Sequence, residues 1–149
     1  MSLLILDTDH ASLFLKGNTL VCDRVFHTEP ESLAISIITA EEICQGWLSE
    51  INKYSQASQS SRLLLAYAEF EKSLDFFQTI QRVSFDINAY HQFEILRHQF
   101  RRLGTRDLRI AAIALSINAT VVTRNAKDFR QVPNLSIEDW TTEIRINND

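Results

Sequence analysis

An α/β fold, with a central mainly parallel sheet flanked by helices, is predicted by three features of the sequence. Short unbroken apolar runs recur, each of a length suited to a strand buried on both faces. They alternate with longer stretches whose apolar residues repeat at helical spacing, the pattern of strand–helix–strand crossovers. Gly, Pro or polar clusters punctuate the boundaries. The chain has 149 residues, 45% hydrophobic and 23% charged. That composition fits one globular domain, residues 1–149, with a single substantial core.

The run LLIL, residues 3–6, is the first strand. Helices are expected over residues 10–16 and, past the breaker Gly17-Asn18, up to about His27. LAISI, residues 33–37, reads as a second buried strand after Pro30. A helix follows from Thr39 through Ile43, Trp47, Leu48 and Ile51. The polar stretch SQASQSS, residues 55–61, leads into a helix carrying Leu63, Tyr67, Phe70, Leu74 and Phe77, so these two helices form a hairpin. IQRVSF predicts a third strand, stopped by Asp86 as the N-cap of the next helix. That helix places Ile87, Tyr90, Phe93, Leu96, Phe100 and Leu103 on its apolar side and ends at Gly104. RIAAIALSI, residues 109–117, is apolar nearly all round and predicts a buried, closely packed helix. ATVVT and LSI (residues 135–137) supply two more strands, and Phe129 and Trp140 are expected to pack in the core or at the sheet edge.

No apolar run approaches the length of a membrane span, and the N-terminus lacks the basic region and cleavage site of a signal peptide. Cys22 and Cys44 have no partners at metal-ligand spacing. A cytoplasmic protein with free thiols and no membrane partner is the expectation. The net charge of −4 argues against nucleic acid on average. Charge is clustered, however. Five of the 15 Lys and Arg residues, Arg97, Arg101, Arg102, Arg106 and Arg109, lie within one short stretch.

The acidic residues converge. Asp7 sits at the carboxyl end of the first strand, and Glu41 and Glu42 lie in the first turn of the helix after the second. Asn125 and Asp128 follow the strand ATVVT. Asp107 starts the buried helix that leads into that strand, and a helix antiparallel to its strand begins at the strand's carboxyl end. In open α/β sheets that edge binds ligands. Taken singly, each residue has a structural explanation: Thr39-x-x-Glu42 and Asn125-x-x-Asp128 resemble capping boxes, and Asp107 suits a helix N-terminus. Taken together, they repel. Two carboxylates about 4 Å apart cost roughly 4 kcal/mol at an effective dielectric near 20. Oxygen ligands with no nearby Cys or His as ligand suit Mg²⁺ (or Mn²⁺), and metal-assisted phosphodiester hydrolysis is the chemistry such a site fits.

Five pieces in this order, LLILDTDHAS, SIITAEEICQGWL, GTRDLRIAAIAL, TVVTRNAKDF and VPNLSIEDW, resemble the PIN-domain family, specifically the VapC-type ribonuclease toxins of toxin–antitoxin pairs. The resemblance implies a PIN-like three-layer fold and a metal-dependent endoribonuclease with catalytic, metal-binding Asp7, Glu42, Asp107 and Asp128. Glu42 rather than Glu41 matches, because the family's Glu precedes a Gly by four residues and Gly46 fits that spacing. Asn125 stands where some members carry another acid. The resemblance further implies an RNA substrate, transfer RNA among the candidates, and a small antitoxin whose tail crosses the active groove. An exposed part of the helix through residues 63–77 is a candidate surface for that antitoxin or for a homodimer.

Thr8, Thr123 and Asn125 are supporting candidates beside the site. Arg97, Arg101, Arg106 and Arg124 are the RNA-binding candidates, since an acidic centre needs a basic rim to hold a polyanion. His10 reads as a surface residue rather than a general base. A phosphatase of the haloacid dehalogenase type also places Asp-x-Asp after its first strand, but Ala11 stands where that reading wants Thr or Val. A rival of another class is a PIN-fold module that grips RNA or an antitoxin without cutting; Asn125 is its support.

Overall fold

The computed structural model describes residues 2–56 and 59–143. Five strands, β1 (Leu4–Leu6), β2 (Leu33–Ser36), β3 (Gln81–Val83), β4 (Thr120–Val122) and β5 (Ser136–Glu138), form one sheet in the order β3-β2-β1-β4-β5. Every pairing is parallel, so the mainly parallel sheet expected is wholly parallel. Seven helices surround it: α1 (Thr8–Leu15), α2 (Thr19–Phe26), α3 (Ile37–Gln56), α4 (Ser60–Thr79), α5 (Ile87–Gln99), α6 (Thr105–Ile117) and α7 (Ala126–Phe129).

Side chains alternate across the sheet, as a strand's twofold period demands. Ile5, Val121 and the partly buried Ile137 face one side, where α5 and the Ala-rich α6 pack. Leu6, Ile35 and Val122 face the other, against α1, α3, α4 and Trp140. The result is the three-layer arrangement expected. Ala111, Ala112 and Ala114 are fully buried, so α6 lies close to the sheet. Phe129 and Trp140 are buried as expected, and Cys22 and Cys44 are free.

Several boundaries differ from the sequence reading, each for a local reason. α1 starts at Thr8 rather than His10, because Asp7 caps it by accepting the His10 backbone N–H at 2.8 Å. Gly17 takes φ +82°, a left-handed conformation that suits glycine, and ends α1; Asn18 then caps α2. α3 starts at Ile37, not Thr39, because the Ser36 hydroxyl accepts the Thr39 N–H at 3.2 Å. α5 stops at Gln99, with Phe100 as its C-cap; Gly104 is the N-cap of α6 and does not end α5. The last strand is one residue later than LSI.

The helical hairpin α3–α4 forms. Residues 57 and 58 of its polar turn lie outside the described residues. α4 buries Ala66, Ser73 and Phe77, whereas Tyr67 and Leu74 of the expected core stripe are exposed. Ile87 and Tyr90 of α5 are exposed too, its buried face being Ala89, Phe93 and Leu96. No described helix is long and apolar enough to cross a membrane.

Asp86 caps α5 as expected, accepting the Ala89 N–H at 3.0 Å. Asp86→Ala should cost about 1 kcal/mol in a urea titration, the usual worth of an N-cap. An unchanged midpoint would show that the bond contributes nothing.

Candidate active site

Three parallel strands end level at one edge of the sheet. Leu6 is paired with both Ile35 and Val122, so Asp7, Ser36 and Thr123 emerge side by side. The Asp7 N–H is tied to Val122 O at 3.0 Å. Asp7 is nearly buried, and its Oδ1 accepts both the His10 N–H and a contact from His10 Nδ1 at 3.3 Å.

α3 supplies Glu42 from its second turn, not its first, because the helix begins earlier than expected. The capping-box reading fails as well. Thr39 is a fully buried helical residue, and its hydroxyl meets Thr8 Oγ1 at 3.1 Å. Thr8 in turn donates to Glu42 Oε1 at 2.8 Å. The single Thr8 hydrogen points at the carboxylate, so Thr39 donates to Thr8, and the chain of hydroxyls aims Glu42. Glu41 turns outward; half its side chain is exposed.

Asp107 stands in the first turn of α6, whose N-cap, Gly104, offers no side chain. Its carboxyl group is pushed up to about 6, by burial first and then by the negative charges of Asp7, Glu42 and Asp128. The structure therefore brings together the four expected carboxylates. Asp7, Thr8, Asp9, Glu42, Asp107, Arg124 and Asn125 line a cavity of about 360 Å³. Asp128 approaches from α7, and Asn125 makes no side-chain cap bond there, so the second capping-box reading also fails. The Thr123 hydroxyl is fully buried and accepts the Asn125 N–H at 2.9 Å, which makes it a turn-former rather than an arm of the cavity.

The expected basic residues divide. Arg124 forks onto Asp9, with Nε at 2.6 Å and Nη2 at 2.7 Å. Arg106 bonds Gln45 and lies within 4.0 Å of both Glu41 and Glu42. Arg97 pairs with Glu94 at 3.3 Å. Arg101 joins His98 and Arg102 around a separate cleft of about 300 Å³.

His10 is the main revision. Far from being a surface residue, it is fully buried, and its Nε2 accepts the Trp140 backbone N–H at 3.2 Å. Ligand atoms of Asp7, Asp9 and His10 lie within 4.8 Å of one another, a spacing that a metal could span. Both His10 nitrogens and both Asp9 oxygens are already engaged, however, so this trio is not the better cation site. The capping interval from Asp7 to His10 was visible in the sequence; the contact with Trp140, 130 residues away, was not.

Four carboxylates gather at this edge with Arg106 at their margin, and oxygen donors of that kind suit a hard divalent cation. The chain belongs to the PIN-domain family, whose model matches residues 5–135. It is 28% identical to ribonuclease VapC1 of Haemophilus influenzae (strain R2866) over 139 residues, covering 92% of this chain and 97% of that protein. It is 26% identical to the tRNA(fMet)-specific endonuclease VapC of Salmonella typhimurium, over 91% of this chain and 96% of that one. The crystal structure of DNA-bound VapBC from Salmonella typhimurium superposes with a TM-score of 0.73 at 26% identity, over 94% of this chain and 99% of that one.

The raised Asp107 fixes the sign of a pH effect. In the metal-free protein Asp107 holds its proton more tightly when folded than when unfolded. Its contribution to stability is therefore lost as pH rises from the ordinary carboxylate range through about 6. In chelator, Asp107→Asn should melt above wild type near neutral pH, and that margin should shrink by about pH 5. A margin that ignores pH would show that folding does not raise the Asp107 carboxyl group.

Proposed function

We propose that the protein is a metal-dependent endoribonuclease, a single-domain toxin of VapC type that hydrolyses RNA phosphodiester bonds. The observation that carries this reading is the gathering of Asp7, Glu42, Asp107 and Asp128 at one edge, where burial first and then the other three negative charges push Asp107 up to about 6. Asp7, Glu42, Asp107 and Asp128 would hold Mg²⁺ or Mn²⁺, hard cations that suit all-oxygen ligands. Such a cation supplies Lewis acidity toward a phosphoryl oxygen and makes water nucleophilic at neutral pH.

The chain's own groups do the rest. The Thr39–Thr8 hydroxyl chain fixes the Glu42 carboxylate, and the Asp7 carboxylate is fixed by two bonds to one oxygen. Asp107 must be ionised to act as a ligand, and a bound cation competes with its proton, so activity should fall on the acid side and that fall should move to lower pH as Mg²⁺ or Mn²⁺ is raised. Asn125 contributes an amide to the cavity in place of another charge. Arg124 and Arg106 form the rim through which an RNA backbone would pass. The separate Arg101–Arg102–His98 cleft would offer a second basic contact for the RNA backbone. Arg97, paired with Glu94, is the weakest of the four RNA-binding candidates.

The resemblance to VapC proteins supports a structured RNA, such as transfer RNA, as substrate and a small antitoxin as partner. A groove of about 420 Å³ between α1, α3 and α4 fits an antitoxin segment. Leu15, Ile43 and Trp47 would take an apolar anchor, Glu50 and Glu69 a basic one, while Thr8 and Glu42 open the groove to the acidic centre. The exposed Leu64, Leu65, Tyr67 and Leu74 of α4 would serve a homodimer. Such a toxin acts in the cytoplasm.

Metal removal and two glutamates test the assignment. Purified protein should cut RNA with Mg²⁺ or Mn²⁺ and stop in EDTA. Glu42→Gln keeps an oxygen for the Thr8 hydroxyl, so it should stay folded, while its cleavage rate falls by orders of magnitude. Glu41→Gln, about 100° round the helix, should cleave nearly as well as wild type. Were the Glu41 variant dead and the Glu42 variant active, the site would be assigned to the wrong residue. A protein that binds RNA with metal present and never cuts it would favour the binding-module reading.

A further inference from the structure

Both ring nitrogens of His10 have hydrogen-bond partners, and these agree on one tautomer; the Asp139 carboxylate stands 3.8 Å from Nε2, beyond hydrogen-bond reach. A backbone amide can only donate, so the Trp140 N–H at 3.2 Å requires a lone pair on Nε2. A carboxylate can only accept, so Asp7 Oδ1 at 3.3 Å requires the proton on Nδ1. The ring is fully enclosed and cannot trade either bond for water. Its anchor is firm: Trp140 is buried, its Nε1 donates to Glu138 Oε2 at 2.9 Å, and the Arg24 guanidinium covers its ring at 5.2 Å.

The two bonds to Asp7 also fall on one atom. The His10 backbone N–H and the His10 Nδ1–H both meet Oδ1, and no described group bonds Oδ2. A carboxylate left to itself can rotate, or offer both oxygens to a cation. Here one oxygen is pinned and the other is left for the cavity that Asp7 lines.

We propose that His10 is a positioning residue: it ties the Trp140 backbone to Asp7 and determines which carboxylate oxygen Asp7 presents to the divalent cation. The inference rests on reading Asp7 as a metal ligand. Hydrogen-bond partners of ligating groups typically govern metal affinity by about 10–100-fold. The segment after β5, distant in sequence from the carboxylates, thereby becomes part of the centre.

Two amide variants of the full chain test this, with Mn²⁺ as the probe in titration calorimetry. The side-chain nitrogen of Asn can take the place of Nδ1 and reach Asp7. Gln instead brings its side-chain oxygen to the place of Nε2, where it can accept the Trp140 N–H, and leaves Asp7 without the Nδ1–H partner. His10→Asn should bind Mn²⁺ nearly as wild type does. His10→Gln should bind it about 10–100-fold more weakly, with kcat on RNA reduced and KM unchanged. Melting temperatures would record the packing loss common to both. A purely structural His10 would make the two variants alike in Mn²⁺ affinity, and that equality would overturn the proposal, as would tighter binding by the Gln variant. Wild-type protein that binds Mn²⁺ but cuts no RNA would sink the nuclease reading alone, since the calorimetric comparison stands without cleavage. Wild type that binds no Mn²⁺ would end both.

Discussion

The level, parallel ending of β2, β1 and β4 is the constraint on which the site depends. Because Leu6 pairs with Ile35 and Val122, the chain must leave the sheet at three adjacent points on one edge. Crossover helices return to the same edge, which brings the start of α6 there as well. A parallel sheet built this way concentrates helix N-termini and strand ends in one place. Helix N-termini tolerate negative charge. They do not remove the repulsion between carboxylates, which adds to burial in lifting Asp107.

Around that charge the protein arranges donors that orient without neutralising. Thr8 reaches Glu42, Thr39 reaches Thr8, and His10 reaches Asp7. These groups are neutral. Thr8 fixes the half-buried Glu42 and His10 the buried Asp7, in settings where a lost partner costs more than at the surface. A lysine or arginine placed centrally among the four acids, rather than at the margin where Arg106 stands 4.0 Å from Glu42, would have relieved the repulsion. In the proposed function, that uncompensated charge is what a divalent cation would meet.

Much of this was legible in the sequence, and the failures share one cause. Continuous apolar runs, an Ala-rich buried helix and the order of strands and helices are local signals, and they carried the architecture. Asp7, Glu42, Asp107 and Asp128 could be placed at one edge because each lies next to a strand or helix end. Surface against core was harder on α4 and α5. Tyr67, Leu74, Ile87 and Tyr90 keep helical spacing with buried residues and are nevertheless exposed. Spacing fixes a stripe only to within a residue or two, and the neighbouring element decides which edge is covered. Thr39 and His10 were misread for a related reason. Each has a plausible local bond, as cap or as surface imidazole, while its actual partner lies far along the chain. Contacts of that kind leave no trace in periodicity.

In the proposed function, the rim arginines decide whether this acidic centre can accept a polyanion. Arg124 is forked onto Asp9 and Arg106 sits among Glu41, Glu42 and Gln45, so neither is free in the resting protein. The Arg124–Asp9 pair is about half exposed on both sides. Exposed pairs contribute at most about 1 kcal/mol even with good geometry. A phosphate, able to accept the same two N–H bonds and carrying its own charge, can therefore compete with Asp9 at little cost. Arg106 differs, because one of its neighbours is Glu42 itself. A cation drawing on Glu42 would weaken the hold of that carboxylate on Arg106 and turn the guanidinium outward, toward solvent and substrate. Filling the acidic centre and freeing its basic rim would then be one event, so that the site becomes attractive to RNA only once the charge deficit of the four carboxylates has been met.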